Sequence, residues 1–480
     1  MKDFTHIHLI GIGGSGLSAI ARVLAQSGFS VSGSDQQPTP LAQSLSQEGI
    51  SVFIGHSPEN LTGADLIIRS SAVPDTNAEV QAARNLGIPV VKRAEFMQMW
   101  MADKFGIAVA GTHGKTTTTA MIAWLLVELN LDPTFIIGGV SRNLGTNAKA
   151  GKGDIFLVEA DEYDHMFLGL QPKIAVITNI DHDHPDFYPT RESYFQAFCE
   201  FVDRIESEGI LIVCGDDPGA ARLAQEVKGI SRKVYTYGIS PRAESGRKVY
   251  QYMAVNPVPN RQGGFSFDLS TAPDDPFTVQ VRLQVPGEHN VRNALAAYAV
   301  AHQLSLPLAK AARALENYTG TGRRFEIRGE VDGVTVIDDY AHHPTEIRTT
   351  LAAAKARFSS RRIWVVWQPH TYSRTRAFLD DFTTAFGDAD RVIVTDVYAS
   401  REHDSSQFSA SQMVAAMPHA SVSYIPALAE VTRFLIDRLE KGDVLLVLSA
   451  GDADRVSGEV LAGLLQRNSF VQEGNQSRTF

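Results

Sequence analysis

The chain has 480 residues, 44% of them hydrophobic, enough to fill the cores of about three domains at roughly 150 residues each. Asp and Glu total 54 against 44 Lys and Arg, a net charge of −10, which excludes nucleic acid as the main partner because such binders need a basic surface. No apolar run approaches the ~18 residues of a membrane helix and no export signal is legible, while Cys199 and Cys214 lack the spacing of a disulfide framework or zinc site, so a cytoplasmic protein away from membranes is expected.

In chain order, Thr5 to Ile10 is apolar and β-branched, and Gly11-Ile-Gly-Gly-Ser-Gly16 leads into an apolar-periodic segment, Leu17 to Ser27. A second strand, Phe29 to Gly33, ends in Ser34-Asp35. This is a βαβ dinucleotide-type pattern: Gly11, Gly13 and Gly16 stand in GxGxxG order around Gly14 and Ser15, and Asp35 is placed to take a ribose hydroxyl. A second nucleotide loop further on makes a hydride-transfer enzyme awkward, so the first loop is expected to hold a diphosphate other than NAD. Val52 to Gly55, Leu66 to Ser70 and Val90 to Val91 continue the strands, which predicts a Rossmann-like domain to residue 103.

Ile107 to Ala110 is fit for a buried strand, Gly111-Thr-His-Gly-Lys115 is a tight loop, and Thr116 to Asn130 carries helix formers. Strand, loop and helix in this order form a phosphate cradle, the mark of a P-loop ATPase-type domain. Gly111 and Gly114 let backbone approach phosphate oxygens, with Thr112, His113 and Thr117 in the same nucleotide loop. Lys115 would neutralise the β/γ-phosphates of ATP, and the Thr116 hydroxyl is placed for Mg2+. The general P-loop spacing asks for a glycine where Val109 stands. Glu159, closing the strand Ile155 to Val158, is the expected Mg2+ carboxylate. The His/Asp cluster 179–186 after the strand Ile174 to Thr178 reads as metal or phosphate ligands rather than core histidines, with His184 first among them. Residues 235 to 285 read as hairpins. Asn290 and Asn293, at a helix predicted over Val291 to Leu304, read equally as caps or as site residues.

The run Thr319-Gly-Thr-Gly322 marks a boundary before Arg323-Arg324. Four strands then end in polar residues: Val334 to Ile337 in Asp338-Asp-Tyr-Ala-His-His-Pro344, Ile363 to Val366 in the stretch to Arg374, Arg391 to Thr395 in the stretch to Arg401, and Val444 to Leu448 in Ser449-Ala-Gly-Asp452. A third, doubly wound Rossmann-like domain with its functional edge at the strand carboxyl ends is predicted. The polar tail from Asn468 is expected to fray. The overall expectation is an α/β protein of three domains.

The GTHGKT loop, the EADE strand end (Glu159 to Glu162) and the DHPD cluster (Asp183 to Asp186), set in three α/β domains, together resemble the Mur ligase family over nearly the whole chain. The resemblance implies that residues 1–103 bind UDP-N-acetylmuramate, 104–322 bind ATP and Mg2+, and 323–480 bind the incoming amino acid and close as a lid about Gly320-Thr-Gly322. Position by position, it implies Gly13, Gly14, Ser15, Gly16, Asp35, Ser70 and Ser71 for the UDP-sugar, and Lys115 and Thr116 for phosphates and metal. Glu159 and His184 would be metal ligands, and Asn293 would lie on the adenine side of ATP. Arg324 and Asp339 would hold the nucleotide from the third domain after rotation, and His343, His370 and Arg374 would line the amino-acid and acyl-phosphate pocket.

Within that family, Gly33-Ser-Asp35, Ser70-Ser-Ala-Val-Pro74, Asp339 to Glu346 and Gln368 to Thr375 are similar to the branch that joins L-alanine to UDP-N-acetylmuramate through an acyl phosphate, as a monomer or homodimer. A rival branch adds a ready-made tripeptide; Glu162-Tyr-Asp164 and Gly138-Gly-Val lean towards it, Asp339-Tyr-Ala-His and Asp396 to Glu402 away from it. A nucleotide sensor without catalysis would have lost Lys115, Glu159 or His184, and all three are present. Two departures stand out: no lysine lies between Lys173 and Lys228, where several relatives carry a metal-bridging carbamylated lysine, and Ser449 replaces a more usual glycine.

Overall fold

Apolar strands of three to eight residues, most of them followed by a helix, build three sheets. The computed structural model describes residues 4–227, 232–240, 250–271, 278–400, 402 and 408–476. The first sheet is parallel, in the order Ser51–Ile54, Ser30–Asp35, His6–Ile10, Leu66–Arg69, Val90–Lys92. Its order reverses between His6–Ile10 and Leu66–Arg69, so a crevice opens at their carboxyl ends, where Gly11 to Gly16 and Ser70-Ser71 emerge.

The second sheet has ten strands, with Phe105–Ala110 between Ile174–Ile177 and Ile155–Glu159. Its register pairs Val109 with Glu159 and Ala110 with Ile177, which brings the three following loops side by side. Val109 is therefore the middle of a ladder, and the tight turn starts only at Gly111. The helix Lys115–Glu128 packs on Glu288–Gln303, a helix whose alanines and Tyr298 are buried all round. A helix apolar on every side belongs inside a domain, and its small side chains let the helix Lys115–Glu128 lie close. The predicted hairpins appear as the antiparallel strands Tyr252–Pro259, Phe265–Ser270 and Thr278–Arg282.

The third sheet runs Glu326–Val331, Val334–Asp339, Val444–Leu448, Ile363–Trp367, Arg391–Val394, Val422–Tyr424, with only the first strand antiparallel to its neighbour. The four predicted strands form its centre.

Several features differ from the sequence reading. The strands Thr134–Ser141, Thr146–Lys149, Ile210–Cys214, Glu326–Val331 and Val422–Tyr424 add to the predicted set. The last helix, Arg455–Gln476, continues past Asn468, and residues 477–480, like Arg401, lie outside the described residues. The expected pivot at Gly320-Thr-Gly322 is tied down: Arg142 N donates to Gly320 O at 3.0 Å, Gly322 N donates to Val140 O at 2.8 Å, and Thr321 is buried against Tyr318. The chain turns just beyond, at Arg323 and Phe325, whose φ values are 56° and 49°. No helix among the described residues is long and apolar enough to cross a membrane.

Phe167, fully buried, stacks on Phe201 at 4.8 Å and meets Phe198 edge-on at 5.4 Å beneath the segment that follows Glu159. Phe167→Ala is expected to lower stability by about 3–5 kcal/mol, seen as an earlier denaturant midpoint for the central domain. A loss below ~1 kcal/mol would show that this aromatic stack is not what holds the segment.

Candidate active site

Gly111 and Gly114 take φ of 134° and 80°. A Cβ on Gly111 would lie 2.0 Å from Thr178 Oγ1, and one on Gly114 would lie 2.8 Å from Asn293 Oδ1. Both positions thus exclude any larger residue, by backbone angle and by contact. The loop is braced from the neighbouring strand end: His113 N donates to Asn179 Oδ1 at 2.8 Å, and Thr112 Oγ1 donates to Asp181 O at 2.7 Å. Thr117 is the third residue of the helix and lines the adjoining cavity.

Lys115 Nζ donates to the carbonyls of Gly111 and Thr112 and to Glu162 Oε2, the last at 2.7 Å. Burial opposes its charge, but Glu162, Asp161 and Glu159 outweigh this and hold its pKa above the usual lysine value. Thr116 Oγ1 donates to Glu159 Oε1 at 2.9 Å, and Gly138 N donates to Glu159 Oε2 at 2.5 Å. Burial raises the pKa of Glu159 despite Lys115. A desolvated carboxylate beside a hydroxyl is a hard-oxygen pair suited to a divalent cation. His184, held at φ 53°, faces the same cleft, but the carboxylate oxygens near its Nε2 are those of Glu162 at 3.7 Å and Asp183 at 3.8 Å.

Two cavities flank the loop. The first, about 330 Å³, is lined by His113, Asn293, His289, Arg324, Asp339 and Glu346 among others. The helix carrying Asn293 starts at Glu288, earlier than predicted, with Gly287 before it and no side-chain cap. Asn290 donates back to Pro286 O at 2.7 Å and accepts from Asn293 Nδ2 at 3.0 Å, so neither asparagine caps the helix. Burial, with help from Arg292 and Arg324, pulls His289 down to about 4. Asp339 accepts from the amides of Phe325 and Ala341 at 2.7 and 2.8 Å, and burial drives it up to about 6 although Arg324 favours its charge. In the arrangement of the domains that the structure shows, Arg324 and Asp339 line this cavity.

The second cavity, about 570 Å³, is where all three domains meet: Ser15 and Gly16 from the first, Lys115, Thr116 and Glu159 from the second, and Tyr340, His342, His370 and Arg374 from the third. Arg374 is a forked partner of Asp183, at 2.8 and 3.2 Å, and its Nη1 lies 3.1 Å from His370 Nδ1. His370 stacks on Tyr398 at 5.8 Å. His343 departs from expectation. It precedes the helix Pro344–Arg357 in extended backbone, accepts from Thr345 N at 3.3 Å, and packs its ring on His113 and Phe378. Successive side chains of extended backbone point opposite ways, so His342 faces the cleft and His343 lies behind its wall. Burial lowers His342 to about 3, and its Nδ1 lies 2.9 Å from Tyr340 O.

In the first domain, Asp35 Oδ2 accepts from Gly13 N at 2.9 Å and so holds the glycine loop. Gly14 and Ser15 are exposed at the crevice, Ser70 faces Gly11, and Ser71 is exposed beside it. Arg93 reaches across from Gly16 to Asp161 at 3.3 Å.

Sequence reasoning passed over Glu162, Asp181, Glu346 and Arg93. The first three stood in quoted motifs, but spacing alone does not separate a cation's partner from a helix cap. Arg93 gave no signal. The role of Ser449 does emerge: it donates to Gln368 Oε1 at 2.8 Å and accepts from Gly451 N at 2.9 Å, which fixes the loop leading to His370.

Residues 6–105, 109–301 and 323–451 match three family models, described as "Mur ligase family, catalytic domain", "Mur ligase middle domain" and "Mur ligase, glutamate ligase domain". A protein of Desulfosudis oleivorans named UDP-N-acetylmuramate--L-alanine ligase is 43% identical over 461 residues, covering 95% of this chain and 98% of that one. Among solved structures, a UDP-N-acetylmuramate-alanine ligase of Thermotoga maritima aligns with a TM-score of 0.80 at 30% identity, over 96% of this chain and 99% of that one. A murein peptide ligase of Psychrobacter arcticus aligns at 0.71 and 25% identity, over 96% and 98%.

His113 carries a prediction of its own. Its Nε2 lies 3.4 Å from Asp181, its Nδ1 lies 3.2 Å from Glu346 of the third domain, and His343 stands close enough that the three groups His113, Asp181 and His343 fall within 4.8 Å of one another. Burial opposes a proton here, but bonds to Asp181 and Glu346 outweigh it and push His113 up to about 9. A raised folded-state pKa stabilises fully below the ordinary histidine value of ~6.5 and is lost as pH rises through the folded value. The contact between central and third domains is therefore expected to weaken between these limits and to be lost above about pH 9. Proton NMR titration of the His113 ring checks it; a midpoint near ~6.5 would rule the ion pair out.

Proposed function

Because the chain belongs to the Mur ligase family and is an ATP-dependent ligase joining L-alanine to the carboxylate of UDP-N-acetylmuramate, the first peptide-stem step of peptidoglycan synthesis, we propose that its two cavities divide that reaction between them. Residues 1–103 bind the UDP-sugar, 104–322 bind ATP with Mg2+, and 323–480 bind L-alanine, in the cytoplasm. The observation that carries this division is the cleft shared by Ser15 and Gly16, Lys115 and Glu159, and His342 and Arg374.

ATP lies in the smaller cavity, its adenosine against Asn290, Asn293 and His289, with Arg324 and Asp339 over it and its phosphates towards Lys115. The glycine loop with Asp35, Ser70 and Ser71 receives the UDP portion, and Arg93 lies on the path from Gly16 into the cleft. Thr116 and Glu159 hold Mg2+ with His184 on the same wall; the ion supplies positive charge against the transferring phosphoryl group.

In the first step the muramate carboxylate attacks the γ-phosphorus of ATP, the bond to the bridging oxygen breaks, and ADP leaves an acyl phosphate. Lys115 contributes charge at the γ-phosphate and gives up Glu162 to do so. In the second step the uncharged amine of L-alanine attacks the acyl carbon. The tetrahedral intermediate then expels phosphate, and one nitrogen-bound proton is lost as the amide forms. Arg374 and His370 face the developing oxyanion and the leaving phosphate. The neutral His342 borders the amine. Most of the acceleration comes from alignment and charge matching, with the third domain keeping water from the acyl phosphate.

Turnover of ATP measured with UDP-N-acetylmuramate and, separately, L-alanine, L-serine, glycine or a murein tripeptide tests the reading. L-Alanine is expected to give the highest kcat/KM, and a preference for the tripeptide would replace the reading with the recycling reaction. Lys115→Ala is expected to reduce kcat by on the order of 10²-fold or more with little change in fold. Retention of more than roughly a tenth of wild-type turnover at saturating ATP would remove Lys115 from the chemistry.

A further inference from the structure

The helix Pro344–Arg357 begins between the two cavities, and Glu346 in its first turn lines both. Its two carboxylate oxygens face different tasks. Oε2 accepts from the amides of His342 and His343 at 3.0 and 3.3 Å, fixing the backbone that carries His342 into the reaction cleft. Oε1 lies 3.2 Å from His113 Nδ1 and 3.6 Å from Arg324 Nη1, the two cations on the nucleotide side. Burial opposes the carboxylate's charge, but His113 and Arg324 hold it well below the usual range. A helix cap needs only the first set of contacts and works equally well with a neutral oxygen. The second set needs the charge.

Resting on the division of the cavities given above, we propose that Glu346 is a positioning residue that transmits nucleotide occupancy to the amino-acid pocket. A triphosphate draws His113 and Arg324 towards itself, the carboxylate they share follows, and the amides of His342 and His343 move with its other oxygen. The next side chain strengthens the link, since Thr345 Oγ1 donates to Asp181 Oδ2 at 2.7 Å and Asp181 is the other partner of His113. The start of the helix is thus fastened at two adjacent residues, by Glu346 to His113 of the nucleotide loop and by Thr345 to Asp181, which itself bonds His113. An arrangement with its cations held against phosphate then binds the amino acid more tightly than one without, which is the differential affinity that coupling requires.

The test compares the full-length wild type with Glu346→Gln and Glu346→Ala. Glutamine keeps an oxygen for both amides and removes the charge. For Glu346→Gln the KM of L-alanine at saturating ATP and UDP-N-acetylmuramate is expected to rise about tenfold, with kcat falling less than about threefold. Calorimetry with a non-hydrolysable ATP analogue should show L-alanine binding tightened by the analogue in the wild type and much less so in the glutamine variant. Wild-type kinetics in Glu346→Gln, with losses confined to Glu346→Ala, would reduce Glu346 to a cap and overturn the proposal. A rise in the KM of ATP alone, with L-alanine unaffected, would overturn it too. If the alanine variant fails to fold, the glutamine variant still decides. A wild type inactive with L-alanine would instead overturn the division of the cavities beneath the proposal.

Discussion

The requirement that every buried cation near the nucleotide loop have a carboxylate partner governs the arrangement of this protein. Lys115 takes Glu162, His113 takes Asp181 and Glu346, and Arg374 takes Asp183. Leaving one such charge unpaired in a low-dielectric setting costs several kcal/mol, more than most single contacts supply. Two of these pairings, His113 with Glu346 and Arg374 with Asp183, join the central domain to the third. The relative placement of the domains thus follows from charge pairing at the strand ends, and the third domain rests against the loop 111–115 side of the central domain with these ion pairs made.

This accounts for the composition of the strand ends. The parallel strands supply apolar ladders whose carboxyl edges need polar residues, and all three domains turn such an edge or loop towards the same cleft. Glu162 makes the consequence plain. It is almost fully buried, yet it is satisfied by Lys115 on one oxygen and Tyr194 on the other, at 2.7 and 3.1 Å. Lys115 is anchored in turn by the carbonyls of Gly111 and Thr112, so the loop that carries it is braced from within as well as by Glu162.

How much of this was legible in the sequence depends on the range of the interaction. The strand–loop–helix of Phe105–Glu128 was readable because apolar period, glycine position and helix formers are local. Glu159 was readable because it closes a strand whose neighbour carries the loop. His343 and His342 show the limit: adjacent in sequence and identical in type, they are told apart only by which way extended backbone points them. The first turn of the helix Glu288–Gln303 was missed because Gly287 precedes it without a capping side chain. Glycine is permissive, which draws the expected pivot to Gly320-Thr-Gly322; a tertiary contact of those glycines with Val140 and Arg142, and further positive φ values at Arg323 and Phe325, are not legible in local sequence.

The hairpin Thr134–Ser141 and Thr146–Lys149, absent from the sequence reading, is what joins these parts. Gly138 N bonds Glu159, Ser141 bridges Thr321 at the boundary, and Asn143 accepts from Thr319 N at 2.8 Å. At its far end Asn147 accepts from Arg22 at 2.8 Å, and Ala150 N donates to Gln26, both on the helix that begins at the glycine loop of the first domain. One edge element of the central sheet therefore abuts Glu159, the chain leading to the third domain, and the helix that follows the glycine loop of the first domain. A strand pair is stiff along its length, so a displacement at any one of these three places is resisted at the other two. The catalytic distances in the cleft are thereby set by the rigid edge of a sheet, while the loops that carry the reacting groups remain short.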